Sequence, residues 1–268
     1  MKKKIYISCI KQFIIKGYIP IIDLYSFPNV FNGFIANSSS KNPWENFFYQ
    51  PLCYSLEDVL KKAKNFSYFE CISKIERPQF RDFFNKSISF FFWQDLAKKY
   101  IPIRNEIIKE SNIYIKKLFH GSNNIIGILI RGTDYLSIKP KDHPITPNPE
   151  RVIQDVKEMD EKFKYDWLFL STEDTIIRKK FINEFKYKLK YILSNKEIEY
   201  NYSSPIFLSF HKDISGNLEK MKYYLINIII LSKCIDIIAS RTNGSAAAFI
   251  FKNGFFRNKI IYFLGLYN

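Results

Sequence analysis

Three apolar runs in the second half of the chain each end abruptly in polar residues. A short apolar run of this kind is typical of a β-strand that is buried on both faces. The polar residues that follow would then lie at the carboxyl ends of the strands. The runs and the polar segments are Ile125–Ile130 with Arg131–Asp134, Trp167–Leu170 with Ser171–Asp174, and Ile235–Ala239 with Ser240–Ser245.

Each predicted strand is followed by a segment with the features of a helix. After the first, Asn148 is suited to an N-cap, Pro149 to the first helical position, and apolar residues recur at helical spacing. After the second, Thr172 or Asp174 can cap a helix. After the third, a run of small residues begins at Gly244. Alternating strands and helices predict an α/β fold with a doubly wound parallel sheet, in which ligands bind outside the carboxyl ends of the strands.

The first half of the chain gives weaker signals. Residues 17–23 have the pattern of a strand entered by a turn, and residues 43–48 form a loop with an aromatic anchor. A polar break at residues 120–124 separates the halves. We therefore predict a domain boundary here, with one half over residues 1–120 and the other over residues 121–268. The helices predicted in the first half are Leu56–Ala63, Asp95–Tyr100 and Ile107–Phe119.

Composition narrows the class of protein. The formal net charge is +15, but the lysines are scattered among many Ile, Asn, Phe and Tyr residues, which indicates a general compositional bias and not a nucleic-acid-binding surface. A mildly basic surface is compatible with an anionic substrate or with peripheral contact with the inner membrane. The four cysteines are far apart, as expected of reduced thiols in a cytoplasmic protein, and no apolar run is long enough to span a bilayer.

The sequence lacks several well-known binding motifs. It has no pair of aspartates separated by one residue, no GxGxxG, no GxxxxGK[ST] and no GxSxG. Its three histidines, His120, His143 and His211, are not spaced as metal ligands. We therefore expect no metal and no cofactor, and an anion at the sheet edge would be held by arginine and backbone amides.

A set of motifs carries a resemblance to a known family. These are Ile128–Tyr135, Lys139–Ile145, Phe169–Asp174, Ser232–Phe249 and Leu264–Tyr267, with weaker similarity in Gly17–Ser26 and Asn42–Pro51. The set resembles a bacterial branch of the fucosyltransferase-like glycosyltransferases, which include α-1,2, α-1,6 and protein O-fucosyltransferases. The resemblance implies a GT-B-like architecture of two Rossmann-like halves with parallel sheets. Residues 1–120 would be the acceptor-side half and residues 121–268 the nucleotide-sugar-binding half. It also implies metal-independent, inverting transfer from a GDP-sugar, with GDP-fucose favoured, to a surface glycan or its lipid-linked precursor.

The resemblance also implies roles for individual residues. Arg131 occupies the place of the arginine that binds the donor β-phosphate, and Asp134 is a candidate catalytic residue beside it. In the second motif Thr172 and Asp174 match the residues at the guanine edge, where a carboxylate would reject uracil and adenine. The candidate substrate-binding residues are Arg131, His143, Thr172, Asp174, Asn243, Gly244 and Ser245, the last three being placed at the pyrophosphate.

Each of these residues also has a structural interpretation. Arg131 and Asp134 can pair with each other, Thr172 and Asp174 can simply cap a helix, and Gly244 can serve only a tight turn. His143, which precedes a proline, can be a loop residue. The alternative to an enzyme is a non-catalytic or degenerate nucleotide-sugar-binding protein, which keeps the nucleotide crevice without turnover.

The sequence departs from the family pattern at three places, and each departure changes an expectation. Leu129 and Gly132 stand where the family has a histidine and a second arginine, so the resemblance identifies GDP better than the sugar. No glycine-rich loop precedes the first helix, which predicts an N-terminally shortened member. Besides Asp134, the candidates for the catalytic base are Glu45 and Asp23.

Overall fold

The structure, a computed structural model, describes residues 13–26, 42–63, 80–132, 134–137, 139, 141–193 and 214–268. The chain divides into two compact units. The first comprises the described residues of Met1–Ile108 with Phe210–Leu218, and the second those of Lys109–Ser209 with Glu219–Asn268. The predicted functional halves, residues 1–120 and 121–268, stay a prediction.

The first unit is helical over most of its described residues. Helix α1 covers Leu56–Lys62, α2 covers Phe80–Phe84 and α3 covers Ile88–Tyr100, so the predicted helices at 56–63 and 95–100 are confirmed. A 3-10 helix at Pro43–Asn46 forms the predicted aromatic anchor, in which Trp44 is buried and stacks on Phe48 at 4.5 Å. The parallel sheet expected in this half has no counterpart among its described residues and stays a prediction.

The prediction of a strand at residues 17–23 is wrong. The turn at Gly17 is present, but the residues after it are not paired as a strand. The backbone N–H of Ile22 donates to the side-chain oxygen of Gln50 at 2.9 Å, and its carbonyl accepts from Gln50 and from Asn42. Side-chain amides therefore satisfy the backbone groups that a neighbouring strand would otherwise bind.

All five described strands lie in the second unit: β1 Ile125–Leu129, β2 Trp167–Ser171, β3 Leu189–Lys190, β4 Asp236–Ser240 and β5 Lys259–Tyr262. They form one parallel sheet in the order β3-β2-β1-β4-β5. The strands predicted at 125–130, 167–170 and 235–239 are confirmed as β1, β2 and β4. The short strands β3 and β5 at the sides of the sheet were not predicted.

The helices between these strands begin where local signals indicate. Asn148 caps the helix that follows β1, Pro149 is its first residue, and Asp174 caps the helix that follows β2. Thr242 caps the helix that follows β4. The helices described from residue 105 onwards are α4 Asn105–Phe119, α5 Asp134–Ser137, α6 Pro149–Phe163, α7 Thr175–Phe185, α8 Ile214–Lys233 and α9 Asn243–Phe251.

Helices cover both faces of the sheet. Alternate residues of β1, including Ile126 and Ile128, join a buried cluster with Val156 of α6 and Phe181 of α7. On the opposite face, a Cβ atom on Gly127 would lie 2.9 Å from Leu231 of α8, so the absence of a side chain lets that helix pack directly on the strand. Both faces are buried, which explains the continuous apolar runs in the sequence.

The strand order places a topological switch point between β1 and β4. The chain runs from β1 to β2 and β3 on one side of β1, and then crosses to β4 and β5 on the other side. The loops after β1 and β4 therefore diverge to opposite faces of the sheet. Open parallel sheets bind ligands at such a point, outside the carboxyl ends of the strands.

The opposite end of β4 is anchored by a buried ionic cluster. Asp236 is fully buried, accepts from Arg257 at 2.6 Å and from the backbone of Asn258 at 2.7 Å, and is bonded by the Tyr165 hydroxyl. Burial alone would raise the pKa of Asp236, but the hydrogen bonds from Arg257, Tyr165 and Asn258 hold it below its usual value. This cluster fixes the position of β4, whose far end carries part of the candidate site.

None of the helices in the described ranges combines the length and apolar character needed to cross a membrane.

Candidate functional site

The centre of the candidate site is an ion pair at the carboxyl ends of β1 and β2. Arg131 Nε donates to Glu173 Oε1 at 3.0 Å, and the backbone N–H of Gly132 donates to the same oxygen at 2.9 Å. The two charged side chains are 24% and 21% exposed, so the pair is accessible from solvent. The turn after β1 therefore already binds one carboxylate through a guanidinium and a backbone amide.

This pairing differs from the one considered from the sequence, in which Arg131 pairs with Asp134. Leu129 is in register with Ser171, so Arg131 and Glu173 each stand two residues beyond a matched pair on adjacent strands. Side chains at such positions are neighbours across the sheet. The side chain of Asp134 lies outside the described residues, and its catalytic role stays a prediction.

Two tyrosines complete the surroundings of Arg131. The guanidinium carbon lies 4.9 Å from the ring centroid of Tyr135, within the range of a cation–π contact. Tyr224, on α8, lies near Arg131; burial raises the pKa of this phenol, and the charge of Arg131 opposes that rise. Neither tyrosine was identified as a site residue from the sequence. Tyr224 lies in an apolar helix and therefore has the pattern of a core residue.

Two glycines allow close packing around the ion pair. A Cβ atom on Gly132 would lie 2.2 Å from Asp174 Oδ2, and one on Gly244 would lie 2.2 Å from the Tyr224 hydroxyl oxygen. A side chain at either position would force its neighbour to move. Gly132 therefore fits the tight approach of the turns after β1 and β2, and Gly244 brings α9 against Tyr224.

The structural interpretation of Thr172 and Asp174 is observed. Asp174 is 1% exposed, and its Oδ1 accepts from the backbone N–H groups of Ile176 at 2.8 Å and Ile177 at 3.0 Å. Thr172 Oγ1 in turn accepts from the backbone N–H of Asp174. These contacts start α7, and the contact between Asp174 and guanine stays a prediction.

The third predicted motif lies at a helix N-terminus, as expected. Asn243 and Gly244 are the first residues of α9, and Thr242 is its N-cap. Ser245 is fully buried; its hydroxyl lies 2.6 Å from the Ser240 carbonyl and accepts from the backbone of Thr242. The Ser245 hydroxyl thus serves a capping box, and the backbone N–H groups at this helix N-terminus are the groups suited to an anion.

His143 is connected to the ion pair through an aromatic contact. It is exposed, its Nδ1 lies 2.9 Å from the Lys141 carbonyl oxygen, and its ring meets Tyr135 edge-on at 5.6 Å. The same Tyr135 ring stacks on Arg131. The other candidate bases, Glu45 and Asp23, belong to the first unit.

Hydrogen bonds within the first unit engage one carboxylate oxygen of each of those two acids. Glu45 accepts from Gln50 and from the backbone of Leu56, and Asp23 Oδ1 accepts from the backbone of Tyr25.

The described part of the chain contains no group of three or more His, Cys, Asp or Glu residues arranged to hold a metal ion. The geometry of the second unit is suited to binding an anion at the carboxyl edge of its sheet.

Comparison with solved structures shows that the fold is similar to that of fucosyltransferases with a GT-B-like architecture. The fucosyltransferase NodZ from Bradyrhizobium matches 92% of this chain and 86% of its own chain, with a TM-score of 0.54 and 15% identity. NodZ α-1,6-fucosyltransferase co-crystallised with GDP gives a TM-score of 0.51 over 92% of this chain and 85% of its own, also at 15% identity. The resemblance predicted from the motifs is therefore confirmed at the level of the fold.

More distant matches are partial. POFUT1 in complex with GDP-fucose matches 64% of this chain with a TM-score of 0.42 and 6% identity. The chain spans about half the length of the POFUT1 structures it matches, and 45% of a NodZ structure soaked with GDP-fucose. No protein-family profile and no curated protein sequence matches the chain.

Proposed function

We propose that this protein is a fucosyltransferase-like glycosyltransferase that moves a sugar from a GDP-sugar to a surface glycan or its lipid-linked precursor. The observation that carries the proposal is the placement of Arg131. Its guanidinium is bonded to Glu173 and stacked on Tyr135 at the switch point of a parallel sheet, in a chain with the fold of fucosyltransferases.

The chemistry of transfer explains why a fixed guanidinium is useful here. When the bond between sugar and phosphate breaks, negative charge grows on the β-phosphate of the leaving nucleotide. A guanidinium that is already oriented stabilises that charge without reorganising at the moment of reaction. Arg131 would do this without a metal ion, in an inverting transfer. Asp134 is the candidate for the base that activates the acceptor.

The remaining predicted residues would orient the donor. The backbone N–H groups of Asn243 and Gly244 lie in the first turn of α9, where an anionic phosphate is favoured. Thr172 and Asp174 would lie beside the guanine, and His143 beside the sugar. GDP-fucose is the favoured donor, because the chain resembles fucosyltransferases in both its motifs and its fold. We place the reaction in the cytoplasm, at or near the inner membrane.

A second function is favoured by one feature of the same site. Glu173 already occupies Arg131 Nε and the Gly132 amide, so the cation is partly neutralised by the protein itself. A protein that binds a nucleotide-sugar without turning it over needs no unshielded cation. The alternative is therefore a non-catalytic nucleotide-sugar-binding protein.

One experiment tests both functions. Purified protein is titrated with GDP-fucose, GDP-mannose and UDP-glucose by calorimetry, and release of free GDP from each GDP-sugar is followed over time. Binding of a GDP-sugar with slow hydrolysis supports the transferase. Binding without detectable hydrolysis or transfer to any glycan supports the alternative. Failure of GDP-fucose, GDP-mannose and UDP-glucose to bind would overturn both.

A further inference from the structure

A second arginine lies beside Arg131 at the switch point. Leu129 of β1 is in register with Ala239 of β4, so Arg131 and Arg241 each stand two residues beyond this matched pair. Backbone pairing continues past the end of β4, because the Arg241 N–H donates to the Tyr262 carbonyl at 3.2 Å. Arg241 is therefore held at the carboxyl edge of the sheet, on the strand next to Arg131.

The two arginines also lie on the same face of the sheet. Ile128 and Ile238, at matching positions in β1 and β4, both join the buried cluster on the side of α6 and α7. Side chains alternate along a strand, so Arg131 and Arg241 fall on the opposite face. The proximity of Arg131 to Tyr224 of α8 agrees with this placement.

Arg241 is supported by an aromatic ring on the next strand. Ser240 is in register with Tyr262, which makes Phe263 the neighbour of Arg241, and the guanidinium carbon lies 5.7 Å from the Phe263 ring centroid. The Phe263 side chain is 51% exposed. Because the guanidinium stacks on this solvent-facing ring, the ring restricts the guanidinium to one side of the strand.

The net charge of the ion pair at this edge indicates that an anionic ligand needs a second cation. Glu173 compensates the charge of Arg131, so that pair alone contributes no net charge. A pyrophosphate carries at least one negative charge on each phosphate. A binding site for it therefore needs a positive charge beyond the pair, and adjacent strands are only about 4.8 Å apart, which lets two long side chains reach one pyrophosphate.

We propose that Arg241 is the second cation that binds the donor pyrophosphate, and that Phe263 orients it. This inference rests on the proposed function, because it assigns a further residue to the same nucleotide site. Arg131 and Arg241 would bind the pyrophosphate from the two strands that flank the switch point. The diphosphate would then be preferred over the uncharged nucleoside mainly through these two side chains.

The test measures binding of GDP and guanosine by calorimetry at two salt concentrations, on wild-type protein and four variants. Arg241→Ala should weaken GDP binding about 10- to 100-fold and leave guanosine binding unchanged, because a hydrogen-bonded charge pair is lost. Arg241→Lys should recover part of this loss. Phe263→Leu should weaken GDP binding by only a few fold.

Lys259→Ala is the matched control. Its ammonium also stacks on a phenylalanine ring, Phe255 at 4.6 Å, but at the amino end of β5, away from the site. It removes the same charge and should leave GDP binding unchanged. Thermal unfolding without ligand identifies any variant that is not folded, and Arg241→Gln, which keeps the stem of the side chain, replaces Arg241→Ala in that case.

The outcomes separate this inference from the proposed function. If wild-type protein binds GDP and the Arg241 variants bind it equally well, the inference is overturned while the proposed function stands. Equal losses in Arg241→Ala and Lys259→Ala would also overturn it, because the effect would be one of overall charge. If wild-type protein binds no GDP, the proposed function fails, and the role of Arg241 fails with it.

Discussion

Replacing Arg131 by alanine should change ligand binding in two ways at once. It removes the guanidinium, whose charged hydrogen bonds to a phosphate are worth about 1.5–3 kcal/mol. It also leaves the Glu173 carboxylate uncompensated at the site. At roughly 5 Å and an effective dielectric constant of about 20, a carboxylate repels a unit negative charge by about 3 kcal/mol, which partial exposure and salt reduce to about 1–2 kcal/mol.

These two effects predict the results for single and double variants. Arg131→Ala should weaken GDP binding by about 10²-fold or more, and turnover at saturating donor should fall by about 10²-fold. Adding Glu173→Gln removes the repulsion while keeping an acceptor for the Gly132 N–H, so the double variant should bind GDP about tenfold better than Arg131→Ala alone. Arg131→Lys should restore only part of the activity.

The assay combines calorimetry with GDP, donor turnover, and thermal unfolding without ligand. The ion pair is partly exposed, so losing it should cost about 1 kcal/mol or less and lower Tm by only a few degrees. The reasoning is refuted if Arg131→Ala unfolds while its folded fraction binds GDP normally. It is also refuted if Glu173→Gln weakens GDP binding further in the Arg131→Ala background.

Three further predictions concern metal, nucleotide choice and packing. Activity should survive EDTA, since no metal takes part in the proposed transfer; an absolute need for Mn²⁺ or Mg²⁺, seen in turnover assays, would contradict this. GDP should raise Tm more than UDP or ADP do. Asp174→Asn keeps an N-cap acceptor, so it should reduce that preference for GDP without lowering the Tm of the free protein. Equal stabilisation by all three nucleotides in the wild type would exclude Asp174 from the guanine site. Gly244→Ala should lower both Tm and GDP affinity, because its Cβ would displace the Tyr224 hydroxyl; unchanged values would show that α9 can shift without cost.

Local sequence patterns correctly predicted the three central strands and the starts of their helices. The apolar runs of β1, β2 and β4 reflect burial on both faces, and the caps at Asn148 and Asp174 act within a few residues of their own position. The strand prediction at residues 17–23 failed because the backbone there is bonded by residues that no local pattern includes. There the backbone is satisfied by the side chains of Asn42 and Gln50, which are distant in sequence.

The sequence alone determined which polar residues follow each central strand, because a strand and its cap are specified by neighbouring residues. Only the tertiary structure decided how those residues combine. It paired Arg131 with Glu173, placed Tyr224 of α8 near the same guanidinium, and set Arg241 beside it. These neighbours depend on strand order and register, which are fixed by the packing of the whole sheet against helices on both faces. No local pattern encodes that packing, so the composition of the site emerged only from the fold.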